Sequence, residues 1–564
     1  MRSSRMPRRI AAVAVVFVLG SLLSACVGIP SSGGVMTGDE VSQRDTGEDA
    51  EFVISGPAPG SDRETILRGF IDAFKSSGDY DVARQFLSSS FVNEWEPRGS
   101  VLLRSGPERF VTIDESTMQY VVSTRASVDS AGVYTAFPSA PSTLQFQFVK
   151  EGGEWRISSA PSGIVLSTSA FGRIFGEHAL YFLDPSGTSL VPDVRWFPAG
   201  TAATRIASAL LAGPPAWLQG AVKTAFPDGT QLSSPKRVVA EEDTAIVDLT
   251  SAALTATESQ RQLMRLQLTA SLGTVASLPN VRMSVNGAPM ELGDPGTGLP
   301  QAHPQVDSRP LLFHDGEFGF YANGQISPVD TLSAKIAGLS PSAVTLGTGG
   351  TAAAVLGVGG VSVVRANQAS PAPLDSRPGL IAPALDSYNY VWSVPADDPT
   401  ALRAFDFEGS SFAVATNLPA DARIVSVDVA RDGARVAILL STSVGPRLIV
   451  AAINRDANNA QAPLALGEPI VDTIASEGTA LDATWLDETT VATLTVLDET
   501  TVATAYKVGG DRTSLGSPGN AVQIVGGNTE SGLRALGADG VVSALRDSGW
   551  QSTQAQAQFI ATQR

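Results

Sequence analysis

The alternation of apolar and polar positions divides the chain into stretches of different period. Residues 10–23 are almost wholly apolar and follow Arg2, Arg5, Arg8 and Arg9. From Val27 to about Gly60 the text turns polar and acidic, and it closes on Gly56-Pro57-Ala58-Pro59-Gly60. Ile66, Leu67, Phe70, Ile71 and Phe74 then recur at helical spacing behind the capping-box pattern Ser61-Asp62-Arg63-Glu64. A second helix is predicted at about 79–87. Alternating segments at about 110–113, 119–123, 133–136, 144–149 and 155–157 predict strands. Helices followed by antiparallel strands make an α+β cone over 61–170.

Over 171–294 the two periods mix. Strands are predicted at 179–182 and 190–195 around the turn Asp184-Pro185-Ser186-Gly187. A helix over 201–211 stops at Gly213 and Pro214, and a second helix covers 259–272. Further strands are predicted at 221–226, 238–241, 245–249 and 281–285, the last ending in Asn286-Gly287. Residues 295–310 read as a Gly/Pro-rich linker with little to bury. It is therefore expected to be cut first by a protease, leaving 311–564 to melt as its own unit. Beyond it, meanders at 424–454, 485–508 and 380–407, with weaker ones at 342–366 and 522–550, recur roughly every 40–55 residues. That spacing predicts an all-β propeller of about six blades. The octapeptide LDETTVAT stands twice, at 486–493 and 497–504, and reads as a local duplication within one blade.

The apolar run near the N-terminus ends in Leu23-Ser24-Ala25-Cys26, which matches the Leu-small-small-Cys box of bacterial lipoproteins. Residues 1–25 are therefore a lipoprotein signal peptide. At about 1.5 Å per residue, a 14-residue run spans only ~21 Å, short of the ~30 Å hydrocarbon core. The thiol of Cys26 carries a diacylglycerol and its freed amine can be acylated, so it is expected as an N-palmitoyl, S-diacylglycerol cysteine. Each buried methylene adds roughly 0.8 kcal/mol, so two or more chains anchor durably. Residues 26–60 then form a flexible tether with an r.m.s. span of roughly 30–35 Å. The predicted location is the plasma membrane, lipid-anchored on the extracytoplasmic face.

Composition narrows the function. The chain has 564 residues with a net charge of −17, and loss of the leader's four arginines leaves 35 basic against 56 acidic residues, or −21. Such a surface repels nucleic acid, so no nucleic-acid partner is expected and the anchor must be the lipid. Cys26 is the only cysteine, which excludes a disulfide within the chain and a cysteine-ligated zinc. His178, His303 and His314 lie in different modules without metal spacing, and His303 reads as solvated beside Pro304. No nucleophile elbow or Walker loop is present. Asp397-Asp398 and Glu241-Glu242-Asp243 fall at turns. Trp196, Trp217, Trp392, Trp485 and Trp550 read as packing residues before sugar platforms. No cofactor, metal or catalytic set is expected. The alternatives are a lipid-anchored envelope enzyme, a glycan binder, or a carrier of a small apolar ligand in the cone.

The modules resemble known families. The helices, strands and Gly78-Asp79-Tyr80 turn of 61–170 resemble the NTF2-like fold. Leu210-Leu211-Ala212-Gly213-Pro214, Phe226-Pro227-Asp228-Gly229-Thr230, Val247-Asp248-Leu249 and Val285-Asn286-Gly287 resemble the GerMN domain of sporulation and envelope proteins, an interaction module. The order of modules, with Cys26-Val27-Gly28-Ile29-Pro30-Ser31-Ser32-Gly33 and Gly69-Phe70-Ile71-Asp72-Ala73, resembles the actinobacterial LpqB lipoprotein family. That resemblance implies an accessory role. The family is taken to engage the extracytoplasmic sensor region of the MtrB histidine kinase, modulating MtrAB two-component signalling linked to the cell wall and division. Cys26→Ser should abolish lipidation and leader cleavage, because a hydroxyl does not replace the thiol. Metabolic labelling with radioactive palmitate checks this, and a labelled mutant refutes it.

Overall fold

The structure is a computed structural model that describes residues 55–75, 80–275, 278–293, 298–475, 478–547 and 549–564. The leader, Cys26, most of the tether and Gly78-Asp79 lie outside the described residues.

The N-terminal α+β domain is built on the helix Arg63–Asp72, which buries Ile66, Leu67, Phe70 and Ile71. Its cap is Asp62, whose carboxylate accepts from the Thr65 N–H at 2.8 Å. This corrects the Ser61/Glu64 capping box: Ser61 bonds back to the Ala58 carbonyl and Glu64 pairs with Arg68. A carboxylate at that place gains from the helix dipole as well as from the hydrogen bond. The second helix is shorter than expected, Asp81–Arg84, and Tyr80 precedes it in the left-handed region. The sheet runs in the order Glu154–Ser159, Tyr134–Glu151, Thr117–Asp129, Ser100–Thr112, Ile164–Ser167, antiparallel except for the last pair. Two expected strands are one: Tyr134–Glu151 runs straight through Pro138 and Pro141. Its residues up to Gln147 pair with Thr117–Asp129 and those from Gln147 on with Glu154–Ser159, so that Gln147 has a register partner on both sides. Earlier positions lie on an edge, where a missing N–H is tolerated. Phe70, Phe74, Trp95 and Phe146 fill the cone with ring centroids 4.8–6.2 Å apart. A cavity of about 20 Å³ remains beside them, about the space of one water.

The GerMN-like domain places the hairpin Phe175–Leu183/Leu190–Pro198 beside the helices Ala202–Leu211 and Glu258–Leu272. A capping box of Thr257 and Gln260 starts the second helix. A four-stranded sheet pairs Ala288–Pro289, Asn280–Val285, Thr244–Leu249 and Val239–Glu241 in that order. The expected strand at 221–226 is a buried coil. Its apolar pattern is real, since Ala221, Val222, Ala225 and Phe226 are in the core. Lys223 forms a single bridge to Leu183, and beyond it Gln267 stands in for a neighbouring strand, accepting from the Ala225 N–H at 2.7 Å and donating to the Tyr181 carbonyl at 2.8 Å.

Six blades follow, five of four strands and blade 4 of five, where Val471–Ile474 also pairs with Gly445–Asp456. Blade 1 joins Leu311–His314, Glu317–Ala322 and Gln325–Pro328 to the C-terminal strand Phe559–Gln563. Blades 2 to 6 occupy 343–375, 384–413, 423–474, 479–514 and 521–556. Blade 1 showed no complete meander in the sequence because it is split between the two ends of the domain. The inner strands neighbour one another in a closed ring. Side chains stitch that ring from blade to blade. Thr345 donates to the Pro383 carbonyl at 2.8 Å, and Asp428 accepts from the Trp485 N–H at 2.8 Å. Asp482 accepts from the Ile524 N–H at 3.0 Å, and Gln523 exchanges two bonds with Ile560. Burial raises the Asp482 carboxyl to about 7. Arg564 of blade 1 crosses the axis to an ion pair with Asp428 of blade 4, the blade opposite.

The propeller is not a separate body. One apolar core contains Leu180, Phe182, Leu210, Leu218, Val247 and Leu268 of the GerMN-like domain together with Leu439, Leu448, Val450, Trp485 and Val491 of blades 4 and 5. Residues 298–310 are bonded to both domains, which corrects the expectation of a solvated linker there. The physical reason is that the hairpin and blade turns bury apolar surface that neither domain covers alone. Calorimetry of the mature chain should show the two domains unfolding in one transition. Leu439→Ala or Leu268→Ala should lower that transition alike, by about 2–5 kcal/mol each.

Candidate functional site

The turns between the first and second strands of blades 3 to 6 line one face of the propeller, and the GerMN-like hairpin sits on it. In blades 3, 4 and 5 the turn is shaped by its own aspartate. Asp386 accepts from the Tyr388 and Tyr390 N–H groups, Asp432 from Ala434, and Asp487 from Thr489, at 2.8–3.0 Å. The hairpin tip reaches blade 3, where the Tyr388 hydroxyl donates to Asp184. Asp184 itself accepts from the Ser189 N–H at 2.6 Å, closing the turn the sequence predicted.

At the centre of this face stands Arg435, 1% exposed. Its guanidinium binds Asp432 at 3.0 Å through Nε, donates to the Glu488 carbonyl at 2.7 Å, and lies 4.8 Å from the centroid of Trp485. The Trp485 indole N–H donates to the Asp428 carbonyl at 2.9 Å. The Glu488 side chain divides its oxygens. Oε1 accepts from the Tyr181 hydroxyl at 2.6 Å, and Oε2 meets His303 Nδ1 at 2.7 Å. Burial, and then the Glu488 charge, raise the Tyr181 phenol well above its usual value, so it stays a donor. A cavity of about 220 Å³ opens beside these groups, lined by Pro192, Pro304, Arg431, Arg435, Asp487 and Glu488 among others.

The N-terminal domain joins at Trp196, which touches all three modules. Its ring lies 5.1 Å from Phe171 and 5.9 Å from Tyr134, its backbone N–H donates to the Gly132 carbonyl at 2.9 Å, and its indole N–H donates to the Gly509 carbonyl of blade 5 at 2.8 Å. Glu177–Lys507 at 3.0 Å and Arg125–Asp511 are ion pairs across the same joint.

The residues singled out from the sequence fall as follows. Cys26 lies outside the described residues. His178 is buried against Thr274, and burial lowers its pKa. His314 stands half-exposed at the blade 1 turn, beside the exposed Asp315. His303 remains more than half exposed but is paired with Glu488 and set edge-on to Tyr181. Asp397 faces solvent with Arg423, and Glu241 faces Arg282. Trp217 and Trp392 are buried, with their indole N–H groups on Asp193 and Asp386. Trp550 is half-buried and donates to the Leu515 carbonyl. Among the described residues, no group of three or more His, Cys, Asp or Glu could hold a metal ion. What the sequence did not reveal is the joint itself. Glu488, Arg435 and Tyr181 come together from blades 5 and 4 and from the hairpin, and no local motif marks them.

Comparison with known proteins accounts for this architecture. Residues 56–172 match the model of the LpqB lipoprotein N-terminal domain. Residues 179–291 match the model described as sporulation and spore germination, and 317–558 the LpqB beta-propeller domain. The chain belongs to the LpqB lipoprotein family. It is 30% identical over 283 residues to lipoprotein LpqB of Cutibacterium acnes, a match covering 50% of this chain and 47% of that one. To lipoprotein LpqB of Mycobacterium bovis (strain BCG / Pasteur 1173P2) it is 26% identical over 501 residues, or 79% of this chain and 80% of that one. The matched part spans about half or less of the first of these relatives: 47% for Cutibacterium acnes and 41% for Bifidobacterium longum. The first GerMN domain of the Bacillus subtilis sporulation protein GerM is 22% identical, with a TM-score of 0.19, covering 22% of this chain and 93% of that one.

In this LpqB-family chain the Arg435–Asp432 pair is a buried ion pair of the joint, as Arg195–Asp193 and Arg455–Asp386 also are. Arg435→Ala should cost about 3–5 kcal/mol, because it strands a buried carboxylate. Removing Asp432 as well should recover part of that loss. Denaturant midpoints of the four chains of the double-mutant cycle check it.

Proposed function

We propose that the chain is a lipid-anchored, non-catalytic accessory protein on the extracytoplasmic face of the plasma membrane. It binds the sensor region of an MtrB-like histidine kinase and modulates two-component signalling linked to cell wall and division. Membership of the LpqB lipoprotein family supports the lipid anchor. The observation that carries the docking role is the single core shared by the GerMN-like domain and blades 4 and 5. Two recognition modules held in one body present their surfaces at fixed spacing, so a partner that touches both loses little further freedom on binding.

The tether supplies the rest. Read from the sequence as a flexible coil, about 35 residues would have an r.m.s. span of roughly 30–35 Å, which would hold the body near the membrane, where a kinase's sensor domain also stands. Confinement raises the effective concentration of each for the other, and a weak direct affinity then suffices. The purified mature protein should bind the isolated sensor domain only weakly in solution. Lipidated protein co-reconstituted with the full kinase should change phosphoryl transfer to the regulator. A form lacking Cys26 should match it only at much higher concentration. Equal potency of the two forms in vesicles refutes the tether argument, and no effect of either refutes the signalling role.

A further inference from the structure

The segment entering the propeller lies across its mouth as an extended peptide. Ala302, Pro304 and Val306 are half-buried, while His303, Gln305 and Asp307 are exposed. That is the period of a strand, yet its one ladder contact among the described residues is the bridge of Gln301 to Ser189. Side chains from three blades hold its main chain instead. The Asn528 amide of blade 6 uses both ends: Oδ1 accepts from the Val306 N–H and Nδ2 donates to the Val306 carbonyl, each at 2.8 Å. Arg431 of blade 4 donates to the Pro304 carbonyl at 3.3 Å and to Asn528 Oδ1 at 3.0 Å, which fixes the amide's orientation. Gln563 of blade 1 donates to the carbonyls of Asp307 and Arg309 at 3.2 and 3.1 Å. His303 adds side-chain contacts, to Glu488 at 2.7 Å and edge-on to the Tyr181 ring.

Main-chain groups are common to every peptide, apart from the N–H that proline lacks. We infer that the propeller mouth is a groove for an extended peptide, occupied in cis by residues 302–309, and that a partner's extended segment can replace this strap. The geometry sets what fits. Small or apolar residues are required at three alternate positions. Proline is accepted where only the carbonyl is used, as at Pro304, and rejected where the N–H is used, as at Val306. The 220 Å³ cavity beside Pro304 admits a larger side chain than the strap supplies. The strap competes at an effective concentration on the order of millimolar, so a free peptide of equal intrinsic affinity displaces it only near that concentration.

The test uses the full mature chain and a fluorescent peptide of sequence AHPQVDSRP, residues 302–310, with no kinase present. Val306→Pro removes the N–H that Asn528 accepts and leaves the groove's own residues intact. The V306P chain should bind the peptide at least about tenfold more tightly than the native chain does. Adding Asn528→Ala should abolish that gain, and a peptide with proline in place of Val306 should not bind. In the native chain, which carries no folding risk, the Val306 amide should exchange with deuterium faster at millimolar unlabelled peptide. Equal binding by V306P and V306P/N528A, or unchanged exchange in the native chain, overturns the inference.

Discussion

The architecture depends on the burial of Trp485 and Arg435 under the GerMN-like hairpin. Trp485 belongs to the inner ring of the propeller, and it is also part of the core that includes Leu180 and Phe182 of the hairpin. Placing an arginine against that indole excludes water from its charge, so every donor needs a partner inside the protein. Asp432 and the Glu488 carbonyl supply those partners, and both lie on blade turns. Their positions fix where the hairpin rests, and the hairpin carries Trp196 to the joint with the N-terminal domain. A buried charge thus sets the registry of three modules, while the apolar contacts around it supply most of the stability.

Period carried the sequence reading a long way and then failed for identifiable reasons. Blades, hairpins and both long helices of the GerMN-like domain show their period because each buries one face. The duplicated octapeptide shows the limit. LDETTVAT at 486–493 makes a four-residue turn shaped by Asp487, whereas at 497–504 the same letters make a tight two-residue turn with Asp498 and Glu499 both at positive φ. Both copies lie in blade 5, as the local duplication predicts, with Thr493 opposite Thr504. The first turn faces the GerMN-like domain and gives up Glu488 to it; the second meets no such neighbour. Tertiary contact, not local propensity, chose between them.

The joint was illegible for a related reason. Tyr181, His303, Arg435 and Glu488 are separated by between 53 and 307 positions in the chain wherever they bond, and no spacing rule links them. The strap was misread through composition: Pro and Gly marked 295–310 as a linker, although the alternation of Ala302, Pro304 and Val306 was visible. Proline hid a strand in the same way at 134–151. In both places the prolines have a ladder partner on at most one side.

A strap read through its main chain has a consequence for selectivity. Replacing a cis peptide by a trans one conserves the bonds to Asn528, Arg431 and Gln563, so those bonds contribute nothing to the difference in free energy. The groove is already formed, so little ordering accompanies the exchange. Preference for one incoming segment over the strap must therefore come from the side chain it places in the cavity beside Pro304. It can also come from surfaces of the rigid body beyond the groove. The membrane adds a third contribution that is independent of sequence: confinement of anchor and partner in one plane offsets the concentration advantage that the strap enjoys by being part of the chain. The groove can then stay closed in solution and exchange only where both partners are held together.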